Sequence, residues 1–348
     1  MNSKVSIIVT TRNDNHGGDL LKRTATFVNG LIFQCTKFSL KAELIIVEWN
    51  PPSDKPLLKD VLPSPPNHCP LSIRYIIVPN ELHKKYRFQD NIPLYQMIAK
   101  NIGIRRAKND WILCTNIDLL FSDDCIQFLA SDAMVKNHFY RCTRNDVPKE
   151  LMDFTLVDDQ LKFAKKNIIS KHGSTSNYKY INIPIPRVLY FSTNLMRLID
   201  AILKFINKGK FNFYSLDFDA CGDFTLMHKD DWIAIDGYVE LDLYSIHVDS
   251  MGIISAKALG MEQVCLPAEV CTYHIDHSDG WSGFKDPVDL VRFLCKRPGL
   301  DWYTVCEAGK YLVNQRKNWN LNNANWGYLD KSFKEFIFEP GKQIQEIN

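Results

Sequence analysis

Hydrophobic residues fill the first third of the chain in short β-branched blocks separated by stretches of helical spacing. Val5–Thr10 is one block, Ala42–Trp49 ("AELIIVEW") a second and Ser72–Val78 ("SIRYIIV") a third. Continuous apolar runs of this kind predict strands buried on both faces. Leu20–Phe38, between the first two blocks, has apolar residues at helical spacing and predicts a helix. The proline-rich "PSPPNHCP" at 63–70 breaks the chain before the third strand. Pro93–Lys108 predicts another helix, with proline near its first turn, and Asp110 and Trp111 open a strand that ends at Asp118. Strand and helix in alternation predict an α/β fold whose mainly parallel sheet carries helices on both faces.

Further along, residues 144–186 break this rhythm, being rich in Lys, Asn and Ser around "KHGSTSNYKY". They read as an insertion or mobile loop, either a lid over an acceptor or a plain surface excursion. Val188–Lys204 has helical spacing, 221–238 reads as strand, short helix and glycine turn, His247–Gly260 as a helix and Gln263–Pro267 as a short strand. From Asp286 onward the pattern is helical and aromatic, ending in a polar tail. The expected organisation is one α/β domain over 1–280, in two halves, 1–120 and 121–280. A helical extension over 281–348 packs on it.

Composition adds limits. The 348 residues are 45% hydrophobic and 24% charged, which is ordinary for a globular chain. A formal charge of +2 gives no field favouring nucleic acid. No apolar run reaches membrane-spanning length, and "MNSKVSIIVTTRND" turns polar too soon for a signal peptide. The ten cysteines show no CxxC pair, which speaks for reduced thiols and against a zinc finger. A cytoplasmic protein is expected, with peripheral membrane contact compatible.

Parallel sheets bind ligands beyond the carboxyl ends of their strands. The residues there are Thr10 to Asp14, Glu48 to Asn50 and Asn116 to Asp118, all polar or acidic apart from Trp49 and Ile117. No GxGxxG follows the first strand and no GxxxxGK[ST] occurs, so the usual dinucleotide and P-loop readings lose their main support. A diphosphate here would instead need a divalent cation to neutralise it, and Asp118 with an adjacent polar side chain offers the oxygen ligands that such a cation takes. The alternative is that Asp118 caps a helix starting near Ser122.

Five motifs in order carry a resemblance. "VSIIVTTRND", "LIIVEWNPP", "AKNIGIRRAKNDWILCTNID", "GDFTLMHKDDWIAIDGYVE" and "VDSMGIISAKALG" span roughly residues 4–280. In this order they resemble the nucleotide-sugar glycosyltransferases of the GT-A fold, especially the family 2 group. Ala99, Lys100, Asn101 and Gly103 fall on that family's ARN-x-G segment, and Asn116 and Asp118 on its DxD. Three positions depart from the pattern: Asn116 replaces the first aspartate, Val248 replaces the glutamate of an ED pair, and Lys100 stands for arginine.

The resemblance implies a transferase that moves a sugar from a nucleotide-diphosphate donor to a hydroxyl of a glycan, lipid-linked or other acceptor. It implies inversion, and Mn2+ or Mg2+ as cofactor. Thr10, Thr11, Arg12, Asn13, Glu48, Lys100, Asn101, Asn116 and Gly222 become candidate nucleotide-sugar contacts. Arg12 offers charge-assisted bonds to phosphate. Asp249 is the candidate general base, with Asp223 touching sugar or acceptor, and Gly237 and Trp281 lie on the acceptor side. Metal ligands are Asp118 and a late histidine, His274 in "CTYHIDHSDGWSG", with His277 as its substitute. Imidazole beside carboxylate suits manganese. Two other readings compete. A sugar nucleotidyltransferase carries a basic glycine-rich loop after its first strand, whereas "TTRNDNHGG" has glycine only at 17 and 18. A non-catalytic glycan-binding or scaffold protein on a degenerate fold accommodates the changes at Asn116 and Val248.

Overall fold

A computed structural model describes residues 5–173, 213–277 and 286–347. The apolar blocks form its central strands, β1 (Val5–Thr11), β2 (Ala42–Trp49), β3 (Leu71–Val78) and β4 (Trp111–Thr115). β1 and β2 are buried at every position because alternate side chains feed two cores. Ile8, Ile45, Val47 and Trp49 enter one core, and Ile7, Val9, Leu44 and Ile46 the other. Helix Gln96–Arg106 contributes Ile98 and Ile102 to the first core, and helix Leu20–Phe38 contributes Phe27 and Leu31 to the second.

The remaining strands are β5 (Leu119–Phe121), β6 (His138–Arg141), β7 (Thr143–Val147), β8 (Ser170–His172) and β9 (Phe224–His228). They are followed by β10 (Glu262–Cys265), β11 (Cys271–Ile275), β12 (Lys334–Phe338) and β13 (Gln345–Ile347). Among the described residues the main sheet runs β10-β6-β9-β4-β1-β2-β3-β12-β13, parallel from β4 to β3. β9 is antiparallel to both its neighbours, and β12 is antiparallel to β3. A second sheet has the order β5-β11-β7-β8. This is the α/β layering that the sequence pattern implies.

Several boundaries differ from expectation. The helix expected from Pro93 starts at Gln96, with Tyr95 as its cap and Pro93 in the connection before it. β4 stops at Thr115 rather than Asp118, because Asn116 turns its side chain to Gln96 and Lys100, and the next strand, β5, joins the small sheet. The described part of 144–186 is not a loop. It holds β7, a helix at Val157–Lys166 and β8, while 174–186 lie outside the described residues. β7 reads as loop because its buried stretch "TRNDV" is polar, and its Arg144 and Asp146 are paired with one another at 2.7 Å. The helix expected at Val188–Lys204 also lies outside the described residues.

The C-terminal extension has the expected helices, Pro287–Lys296 and Trp302–Gln315, but it is not helical throughout. β12 adds to the main sheet, where Glu335 accepts a 2.7 Å bond from Arg74 on β3. That buried ion pair explains why a strand hides in a charged tail. Among the described residues no helix is long and apolar enough to cross a membrane.

Candidate active site

The carboxyl ends of β1, β2 and β4 meet at one edge, as parallel register requires. There the loop after β1 is tied to the end of β2, for Arg12 Nε donates to the Asn50 carbonyl at 2.7 Å. Asn13 Nδ2 donates to the Pro56 carbonyl at 2.9 Å. Thr10 and Thr11 are buried, and Thr10 Oγ1 has no hydrogen-bond partner. Glu48 is fully buried; one oxygen accepts the Leu58 N–H at 3.0 Å and the other, Oε1, has no partner. Burial pushes its carboxyl up to about 7, against the smaller opposing effect of the Leu58 bond. Among the described residues Thr10 Oγ1 and Glu48 Oε1 are thus buried polar atoms without partners near the carboxyl ends of β1 and β2, on opposite faces of the sheet.

Asp118, His274 and His277 converge: one ligand atom from each lies within 4.8 Å of the others. His277 Nε2 stands 3.2 Å and His274 Nε2 3.8 Å from Asp118 Oδ2. Arg23, from helix Leu20–Phe38, reaches the same oxygen at 3.3 Å. Burial acts to raise the Asp118 carboxyl, but the two histidines and Arg23 outweigh it and hold it well below the usual carboxylate range. Asp118 Oδ1 is buried without a partner. A carboxylate oxygen left open beside two imidazoles fits a divalent ion of borderline softness, such as Mn2+, better than calcium. The loop after β1 closes over this cluster at Gly17, whose φ is +72°. A Cβ there would lie 2.7 Å from Arg23 Nη2 and 2.8 Å from His277 Nδ1. Asp118 does not cap the following helix; Ser122 does, through Oγ and the Cys125 N–H at 3.1 Å.

A second cluster adjoins. Lys100 is fully buried, and Nζ donates to Asn116 Oδ1 at 3.1 Å and to the Gly222 carbonyl at 2.8 Å. Burial lowers the pKa of its ammonium, with Asp223 and Asp249 among the groups acting the other way. Asn116 Nδ2 donates to Asp223 Oδ1, and Arg144 Nη1 donates to Asp223 Oδ2 at 2.8 Å. Asp249 sits in the first turn of helix Val248–Ala258, where a carboxylate is favoured in any case. Its Oδ2 lies 2.9 Å from the place a Cβ of Gly222 would take. Arg144 also holds Asp146, which lies 3.2 Å from His274 Nδ1. One continuous polar line therefore runs from the histidines through Asp146, Arg144, Asp223, Asn116 and Lys100 to Gly222, against which Asp249 lies.

Two expected contacts have other work. Asn101 gives Nδ2 to the Tyr238 carbonyl at 2.7 Å and takes the Tyr238 N–H on Oδ1 at 2.8 Å. It clasps the turn at Gly237, where a Cβ would strike Asn101 Oδ1 and Trp326. Both positions are engaged in packing the C-terminal segment, since Gly327 N–H and Asn101 share Glu240 Oε1. Trp281 lies outside the described residues. Sequence reasoning missed Arg23, Gln96, Arg144, Asp146 and His172. Arg144 and Asp146 carry one signal, being two residues apart and so on one face of a strand. The other three carry none that stands out.

No protein-family model and no curated protein matches the sequence. Solved structures similar to it include GalNAc-T7 with UDP, GalNAc and Mn2+, at 10% identity over 91% of this chain and 56% of that one, TM-score 0.44. Another is S. aureus TarS, at 13% identity over 78% of this chain and 37% of that one, TM-score 0.44. A third is the catalytic domain of Drosophila beta1,4-galactosyltransferase 7 in complex with xylobiose, at 9% identity over 96% and 85%, TM-score 0.38. The chain thus spans about half the length of the first and 37% of the second. The likeness is one of fold.

Proposed function

We propose that the protein is a metal-dependent glycosyltransferase that takes its sugar from a nucleotide-diphosphate donor. One observation carries this reading: Asp118, His274 and His277 come within 4.8 Å at the edge where the loop after β1 ends. Three residues from two distant parts of the chain make a metal-ligand set where a donor diphosphate would lie in a sheet of this kind. Asp118, His274 and His277 would hold a divalent ion, which would supply Lewis-acid charge to a departing diphosphate. Arg12, tied to the Asn50 carbonyl and paired with Asp14 at 3.4 Å, is the cation at the end of β1, and Thr10 or Glu48 is the contact for the nucleoside. Asp249 takes the proton of the acceptor hydroxyl as that oxygen attacks the anomeric carbon, and a direct attack of this kind inverts the sugar. Asp223, locked by Asn116 and Arg144, lines the sugar side.

One observation favours a binding protein on a degenerate fold: Arg23 already occupies Asp118 Oδ2. Calorimetric titration with a panel of nucleoside diphosphates, with and without Mn2+, separates the readings. A transferase binds its nucleotide more tightly with Mn2+ and hydrolyses the donor slowly; Asp118→Ala loses the Mn2+ dependence while staying folded. Binding indifferent to Mn2+ and to Asp118→Ala would overturn the proposal.

A further inference from the structure

We infer that Asp146 is the positioning residue of His274, holding its ring so that Nε2 faces Asp118. The inference rests on the metal-site reading above and concerns a residue in the segment whose composition reads as loop. Strand register puts it there. β11 runs parallel to β7 with His274 opposite Asp146, so the two side chains are neighbours across the small sheet. His274 Nδ1 lies 3.2 Å from Asp146 Oδ1, while Nε2, on the other side of the ring, points to Asp118 at 3.8 Å. The ring is buried and its Nδ1 makes no hydrogen bond among the described residues, but Asp146 Oδ1, 3.2 Å away, is a carboxylate within reach of its proton.

Asp146 is itself fixed. Its Oδ2 accepts from Ser170 Oγ at 2.5 Å and contacts His172 Nε2 at 2.9 Å, both from β8, and its Oδ1 accepts from Arg144 Nε at 2.7 Å. β8 thereby holds one oxygen and leaves the other for Arg144 and His274. A neutral imidazole that ligates through one nitrogen carries its proton on the other. A carboxylate that takes this second proton sets the tautomer and the ring angle, and its loss typically weakens metal binding by about 10–100-fold. The small sheet supplies this support to the metal ligand, and Arg144 extends it to Asp223.

Two measurements on the full chain test the inference. Mn2+ is titrated into the unmutated protein and into Asp146→Asn, with free Mn2+ followed by electron paramagnetic resonance and folding by circular dichroism. The imidazole nitrogen spectrum of the unmutated protein is recorded without metal, at a pH where the His274 ring is neutral, and assigned with His274→Gln. The expected results are Mn2+ affinity weaker by about tenfold or more in folded Asp146→Asn, and the His274 proton on Nδ1. Affinity within about twofold in a folded Asp146→Asn, or the proton on Nε2, would overturn the inference. Should the variant not fold, the ring spectrum decides alone. If the unmutated protein binds no Mn2+, the metal reading falls, and the spectrum still judges the hold of Asp146 on His274.

Discussion

Arg144 Nη1 donates to Asp223 Oδ2 at 2.8 Å, joining the small sheet to the loop before β9. Asp223 is 4% exposed, so the pair is an internal tie. Removing the arginine takes the ion-pair partner from Asp223 in a poorly solvated place, while Asp146 keeps His172 at 2.9 Å, and such losses cost about 3–5 kcal/mol. Arg144→Met is therefore expected to lower the free energy of unfolding by about 3 kcal/mol, given the partial exposure of the arginine. Asp223→Asn in that background should return part of the loss. Urea denaturation of both variants is the check, and a single variant within about 0.5 kcal/mol of the parent would remove the tie.

Glu48 gives stability a pH dependence whose sign is fixed by burial. Its folded carboxyl titrates near 7, above the ordinary 4.5. A folded pKa above the unfolded one means stability is full below the unfolded value and is lost as pH rises through the folded value. The loss between pH 4.5 and pH 7 is about 3 kcal/mol from this one group. Glu48→Gln keeps the shape and cannot ionise, so its stability relative to the parent should improve from pH 5 to pH 8. Denaturation at the two pH values is the measurement; parallel pH profiles would refute the buried, high-pKa carboxyl.

How much of this the sequence carries depends on what each residue's neighbours do. β1, β2 and β3 are readable because apolar runs buried on both faces need no partner information. Asp118 and His274 are joined in the sequence only by the family resemblance, and folding sets them beside His277 with one ligand atom of each within 4.8 Å. β7 is unreadable because Arg144 and Asp146 are polar residues whose burial is made tolerable by each other, by His172 and by Asp223. β12 is hidden likewise, since Glu335 depends on Arg74, more than 250 positions earlier. Asn101 and Gly237 look like ligand contacts in the one-dimensional pattern, but Asn101 bonds both backbone groups of Tyr238, and a Cβ at Gly237 would strike Asn101 Oδ1. Apart from the Arg144–Asp146 pair, the deciding partners are distant in sequence.

Gly222 offers a test of the site that leaves its acids in place. A Cβ there would lie 2.9 Å from Asp249 Oδ2, so Gly222→Ala must move the end of a flexible side chain rather than backbone. Stability should change by less than about 1 kcal/mol. Transfer should nevertheless slow, by about 10²-fold for a displacement near 1 Å of a group that must meet the acceptor hydroxyl. Thermal melting and initial rates, measured on the same preparation, are the readouts. Unimpaired transfer by the variant would place Asp249 outside the reacting geometry.

The proton-transfer role itself is tested by Asp249→Asn. The amide keeps the size and the helix position but has little affinity for a proton. Asp118, His274, His277 and the Thr10–Asn13 loop come from other elements, so donor affinity should survive the change. Turnover should fall by about 10²-fold or more, the usual worth of a general base. Loss of kcat with donor binding kept marks an interaction made mainly in the transition state. Asp249→Glu sharpens the comparison, because it restores a carboxylate at a longer reach and should recover some of the rate if proton acceptance is the function. If Asp249 were only a favourable charge in the first turn of its helix, Asn and Glu would both leave kcat near the parent value, and Asn, which loses the charge, would cost about 0.3–1 kcal/mol of stability. Measuring kcat, donor Kd and melting temperature together for the two variants therefore decides between a base and a helix-end carboxylate. A folded Asp249→Asn with near-parental turnover would pass the role to Asp223.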